Sequence, residues 1–219
     1  LTRFKEDVSW LRDFLAKDDA GKRIDSVIVY QKGDVVPVVE YFSLNHPNVG
    51  RDGYTLLRHI VDFYDHLPPV TVFATAGTNA PHKFPGFRAA IHSYNPEKGT
   101  VGSTGESTTY DHRIEFETEF RLSHWRGSTS VNTDGVHDFS MLPASPTPLK
   151  KWYTYHTRQP LDNAVHFGSS LHMCFVVSRE SIRRHPKALY RRLLSTVASS
   201  PNPEAGHFLE RSLLSLFSK

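Results

Sequence analysis

The first third of the chain alternates between short β-branched runs and amphipathic helical stretches, and this alternation restricts the fold more than any other feature of its 219 residues. Leu1 to Phe4 reads as the tail of a strand. Val8, Leu11, Phe14 and Leu15 then recur at helical spacing, which predicts a helix over about Glu6 to Ala16 with Gly21 ending the segment. Ser26 to Gln31 is a buried strand, and Lys32-Gly33-Asp34 is turn chemistry. A polar loop around Asn45 to Gly50 leads into a helix over Arg51 to His66, with Tyr54, Leu57, Ile60, Val61 and Tyr64 as its apolar stripe. Pro68-Pro69 stops it, and Val70 to Thr75 is a further strand. Strand, helix, strand, helix, strand in that order predicts an α/β domain with a mostly parallel central sheet and flanking helices.

From about Asn79 to Thr157 the pattern dissolves into Gly, Ser, Thr, Pro and aromatic residues, with one partly alternating stretch at Arg113 to Leu122 and a rigid Pro143, Pro146, Pro148 segment. Long loops on an α/β scaffold are where binding residues usually sit. Order returns with a strand over Leu171 to Val177. Ser178 or Ser181 can cap the segment after that strand, and Pro186 opens a helix carrying Leu189, Tyr190, Leu193, Leu194 and Val197. Asn202 caps a last helix with Pro203 at its first position, and Phe208, Leu209, Leu213, Leu216 and Phe217 are its apolar face. The chain is read as one domain: 1–78 the nucleotide-binding half, 79–170 a loop-rich acceptor region, 171–219 the closing strand and helices.

The charge balance argues against nucleic acid, since 26 Lys and Arg against 23 Asp and Glu leave a net charge of only +3. Arg183, Arg184, Arg191 and Arg192 lie among aliphatics in a helical pattern and read as a solvated helix face. A single cysteine, Cys174, excludes an intrachain disulfide, and its apolar neighbours Met173, Phe175, Val176 and Val177 predict a buried, inert thiol. No run reaches the ~20 apolar residues that span a bilayer.

Three groups of residues could carry chemistry. Glu204, His207 and Glu210 are spaced by three on the last helix, where a carboxylate and an imidazole form a plausible proton-transfer pair. The bland reading is that Glu204 stabilises the helix start and Glu210 pairs with Arg211. Asn48-Val49-Gly50-Arg51-Asp52 precedes a helix, where N–H groups and Arg51 suit a phosphate, against an ordinary capped helix. Arg3-Phe4-Lys5-Glu6-Asp7 lies at the end of the first strand, where ligands of open α/β sheets bind, with Arg3 or Lys5 facing a diphosphate and Asp7 a ribose or base, against a helix start dressed with acids. Thirteen histidines are many, and His82, His92, His112, His124, His137, His156, His166 and His172 crowd the middle. None shows compact metal spacing, so a histidine-built metalloenzyme would need distant ligands.

Arg3 through Leu11, then Asn48 through Asp65 with Val70 to Phe73, and finally Phe175 to Glu180 with Glu204 to Arg211 together resemble a eukaryotic domain-of-unknown-function family grouped with nucleotide-sugar glycosyltransferases of the GT-A fold. The resemblance implies a Rossmann-like GT-A-type domain with a donor crevice at the strand ends. It implies Arg3, Asp7 and Arg51 at the nucleotide, and Glu204 or His207 as catalytic base near a glycan or protein acceptor. It also implies a setting in the secretory pathway (Golgi). Enzymes of this fold usually hold Mn or Mg with an Asp-x-Asp motif after a central strand. Here that position reads Ala74-Thr75-Ala76-Gly77-Thr78, and no Asp-x-Asp occurs anywhere in the chain. A metal-independent transferase, a transferase that holds its metal with another residue, and a catalytically inactive relative serving as an interaction or structural subunit for a protein partner are all consistent with that departure.

Overall fold

The computed structural model of the protein describes residues 1–4, 6–33, 40–95, 97, 101–102, 142–161 and 173–217. In chain order the elements are β1 (Thr2–Arg3), α1 (Trp10–Lys17), β2 (Ile28–Lys32), β3 (Phe42–His46), α2 (Arg51–Phe63) and β4 (Val70–Phe73). They continue as α3 (Phe84–Ser93), β5 (Val101–Gly102), α4 (Leu149–Thr157), β6 (Phe175–Ser178), α5 (Arg179–Arg183), α6 (Lys187–Val197) and α7 (Glu204–Phe217). Short 3-10 turns cover Gly21–Arg23 and Ala76–Asn79.

The strands β1, β2 and β3 form a parallel sheet with β2 in the middle, Arg3 opposite Gln31 and Lys32 opposite His46. A second set places β6 between β4 and β5, antiparallel to both. One seam joins the two sets. Thr2 bridges Thr75 in parallel, and the Thr2 N–H donates to the Ala74 carbonyl at 2.9 Å. Across the molecule the strand order is therefore β3-β2-β1-β4-β6-β5, with β6 alone reversed.

The residues of β6 and the one before it face two helical layers in turn. On β6, Phe175 and Val177 pack with α2, α4, α6 and α7, around Leu57, Ile60, Trp152, Tyr190, Phe208 and Leu213. Cys174 and Val176 point the other way, onto α1 and α3, where Leu11, Phe14, Phe87, Ala90 and Ile91 form a smaller core. A strand buried on both faces reads as a continuous apolar run, which is why Met173 to Val177 shows no alternation. Each large apolar side chain withdrawn from water contributes about 1.5–3 kcal/mol.

Several expectations need correction. α1 begins at Trp10, because Asp7 turns the chain first, its carboxylate accepting from the Ser9 N–H at 2.9 Å and the Ser9 hydroxyl at 2.5 Å. Gly21 does not end α1. It lies in the next turn, pressed so close to α1 that a Cβ would stand 2.0 Å from the Phe14 carbonyl oxygen. Asn45 and His46, expected as loop, are the end of strand β3. Two helices, α3 and α4, occupy parts of the middle expected to be irregular. Ser178 is the cap of α5, its hydroxyl accepting from the Ser181 N–H at 3.0 Å, and Ser181 itself is buried inside that helix. The expected strand over Arg113 to Leu122 lies outside the described residues.

Candidate functional site

Because β1 and β2 run parallel, their last residues stand side by side on one edge of the sheet. Arg3 donates from Nη1 to Gln31 Oε1 at 3.1 Å and from Nε to the Glu6 carbonyl at 2.7 Å, so its half-exposed guanidinium is held in a set orientation. Gln31 is 0 % exposed, and its Nε2 finds no hydrogen-bond partner among the described residues. A buried amide left short of a partner costs about 1–3 kcal/mol and calls for an explanation.

Lys32 closes β2 and is also buried. Its ammonium donates to the carbonyls of Val49 and Arg51 and lies 5.8 Å from the centre of the Tyr54 ring. Those carbonyls belong to the turn that starts α2, in which Gly50 (φ 63°) and Arg51 (φ 49°) are both left-handed. Such a conformation costs a non-glycine residue about 1–2 kcal/mol, and the ammonium offsets that cost by pinning both carbonyls. Burial lowers the Lys32 pKa to about 8, with Asp52 opposing and Arg51 reinforcing the shift. The half-buried Asp52 carboxyl is itself raised by burial. Lys32 and Arg51 pull it back, while Glu210 on α7 and Glu6 after β1 push it further.

The loop before α7 meets this turn. Gly50 N–H donates to the Ser200 carbonyl at 2.7 Å and Arg51 N–H to the Pro201 carbonyl at 3.2 Å. The side-chain oxygen of Asn202 then stands between Arg51 Nη1, at 3.3 Å, and His207 Nε2, at 3.0 Å. An amide oxygen only accepts, so His207 carries hydrogen on Nε2. Burial pushes the His207 pKa down to about 3, aided by Arg51 and Arg211 and opposed by Glu210. At neutral pH the ring is thus an uncharged donor with low proton affinity. Arg211 Nη1 in turn donates to the His207 carbonyl at 3.2 Å.

Arg51 and His207 are thus brought together from opposite ends of the chain, with Arg3 on the same sheet edge. Glu204 and Asp7 are used differently. Glu204 is 5 % exposed, its Oε2 accepts from Ala144 N–H at 2.8 Å, and its own N–H donates to the Leu142 carbonyl at 2.9 Å. It clasps the 142–144 segment onto the start of α7, where the helix dipole favours a negative charge. Asp7 is exposed, and its carboxyl, held below its usual range chiefly by the Ser9 hydroxyl, serves the entrance to α1.

Sequence reasoning assigned no chemistry to Gln31 and Lys32, and named Asp52 only as the last residue of the Asn48 to Asp52 segment. The first two were read as a strand end and a turn, and only the pairing of β1 with β2 shows that they border a shared edge. It also passed over a buried polar cluster under the sheet. Tyr30 Oη and His59 Nδ1 share a 2.7 Å hydrogen bond, and the His46 ring lies 4.6 Å from that of Tyr30. Burial lowers both histidines to about 4. Of the middle histidines, His82 and His92 are exposed and His156 is buried, while the other five lie outside the described residues. Among the described residues no three His, Cys, Asp or Glu side chains are arranged to hold a metal ion. The thiol of Cys174 is buried against Thr78 Oγ1 at 2.9 Å, and burial raises its pKa.

Among the described residues no helix is long and apolar enough to cross a membrane. No family model matches the chain, and no curated protein or solved structure matches it either.

Proposed function

We propose that the chain is a Rossmann-like, GT-A-type domain that takes a nucleoside diphosphate sugar at the carboxyl edge of its sheet and transfers the sugar to a glycan or protein acceptor. The supporting observation is the strand order. It reverses direction between β1 and β4, and ligands of open α/β sheets bind outside the strand ends at such a reversal. Arg3, Lys32 and Arg51 lie along that edge, which suits the charge of a departing diphosphate. The donor set for a divalent metal does not fit. The segment after β4 runs Ala74 to Thr78 without a carboxylate, so the arginines carry the neutralising charge in this reading. Arg51 is the nucleotide-facing residue, and Asn202 with neutral His207 positions its guanidinium. Glu204 is the remaining candidate for the base that accepts the proton of the acceptor hydroxyl.

Calorimetric titration with UDP and with GDP, each with and without manganese, tests this. We expect one of them to bind whether or not the metal is present. Arg51→Asn, which keeps a residue tolerant of the left-handed region, should weaken that binding by about tenfold or more. No heat from either nucleotide under any condition overturns the reading.

A second reading is an interaction or structural subunit without catalysis. It is favoured by the burial of Glu204 and His207 and by their engagement with Ala144 and Asn202. Nucleotide binding without any turnover of donor sugar, and no loss in Glu204→Gln, would decide for it.

A further inference from the structure

Along α1, the Ala76–Asn79 turn and the start of α3 lies an open groove of about 370 Å³. Its floor is aromatic. The Phe84 ring stands edge-on to Trp10 at 6.0 Å and to Phe14 at 5.7 Å. Trp10 is fixed by donating Nε1–H to the Ala76 carbonyl at 3.0 Å. The rim is polar and of mixed sign, with Asp13, Lys17, Asp18 and Asn79. Asp18 is held by Arg88 at 2.6 Å, whereas among the described residues Asp13 pairs only with the exposed Lys17, at 3.1 Å. The Asn79 side chain is exposed and makes no hydrogen bond among the described residues.

We propose that this groove is a saccharide subsite. A sugar ring presents C–H groups on its faces and hydroxyls around its edge. The electron-rich face of an aromatic ring attracts the first, and carboxylate and amide groups pair with the second. A few polar groups around an apolar floor is the usual build of a small-molecule site. The two rim carboxylates disfavour a diphosphate there, so the groove does not duplicate the basic edge. The exposed Asp13–Lys17 pair is worth little by itself and yields readily to a ligand hydroxyl. One wall of the groove is the turn after β4, next to the Thr2–Thr75 bridge, and its occupant sits against that turn. The identification of that occupant as the acceptor rests on the transferase reading; the saccharide chemistry of the groove does not.

The Trp10 indole N–H signal in nitrogen-15-labelled protein, observed during titration with N,N′-diacetylchitobiose, lactose and maltose, tests the proposal. At least one sugar should move it saturably, with a dissociation constant on the order of 1 mM. Asn79→Ala and Asp13→Ala, both at exposed positions, should each weaken binding about fivefold to tenfold. UDP added afterwards should not displace the sugar. If none of the three sugars moves the signal, or if both variants bind like the unmodified chain, the inference fails even where UDP binds. If a sugar binds as expected and no nucleotide does, the transferase reading fails and the saccharide site stands.

Discussion

Gly50 is where backbone geometry and the candidate site depend on the same atoms. Its φ of 63° is left-handed, and a Cβ there would stand 2.4 Å from the Val197 carbonyl oxygen and 2.7 Å from Tyr54 Cβ. Gly50→Ala therefore combines backbone strain with overlap and should lower stability by about 2–4 kcal/mol, read as a shift in the urea midpoint at constant slope. A shift below about 0.5 kcal/mol would mean that the turn can relax. The buried histidines set the response to acid. His59 is lowered to about 4 and His207 to about 3, chiefly by burial, from an ordinary value of 6.5. Between those values the unfolded chain binds more protons than the folded one, so stability rises with pH in that window. It is fully present above about pH 6.5 and is lost as pH falls toward 4 and then 3. Each such group contributes a slope of about 1.4 kcal/mol per pH unit. His59→Phe should flatten the dependence of the urea midpoint between pH 6.5 and 4.5, and an unchanged slope would show that His59 is not the titrating group. The sequence pointed to Arg51, Glu204 and His207. It could not show that Asn202, read as a helix cap, turns its oxygen to Arg51 and His207, because that contact spans 151 residues.

At the scale of elements, the four arginines that read as a solvated face are exposed, and three of them also close helix ends. Arg183 donates to the carbonyls of Tyr64 and Asp65 just past α2, Arg184 to that of Phe217 at the end of α7, and Arg192 to that of His156 near the end of α4. Those are groups that a helix leaves without internal partners, at its negative end. Arg191, one residue away, has no partner among the described residues. Arg184→Met should therefore cost about 0.5–2 kcal/mol, and Arg191→Met should stay within about 0.5 kcal/mol, both by urea denaturation. Equal effects would remove the capping argument. The helices that the sequence announced were those with clean periodicity, namely α1, α2, α6 and α7. The helix α4 has it too, with Leu149, Trp152, Tyr153, His156 and Thr157 all buried, but three prolines and a run of aromatic and β-branched residues disguised it. The helix α3 opens with Pro85 and Gly86, two residues that usually argue against a helix, and here the proline sits in the first turn, where no N–H is missed. The strand β3 lies outermost in its sheet, with Phe42 62 % exposed, so its burial lacks the alternation that betrays a strand.

At the scale of the whole molecule, β6 is buried along its whole length between the two helical layers. Phe175, at 0 % exposure, stacks on Phe217 of α7 at 5.7 Å and lies 5.3 Å from Phe73 of β4, while its neighbours Cys174 and Val176 face α1 and α3. If the two layers are one folding unit, damage on one side of β6 must be felt on the other. The protein supplies a probe on each side, since Trp10 borders the smaller core and Trp152 lies within the larger one. The chain exceeds the size at which all-or-none unfolding is routine, so agreement between the two probes is informative. Variants retaining only Trp10 or only Trp152 should unfold in urea at the same midpoint. Phe175→Ala should lower both midpoints together, by about 3–5 kcal/mol, because the cavity opens in the wall common to both layers. Two separate midpoints, or a shift confined to Trp152, would instead mean that the α1–α3 side folds independently. The seam at Thr2 and Thr75, on which the proposed crevice is built, would then lie between two separable parts.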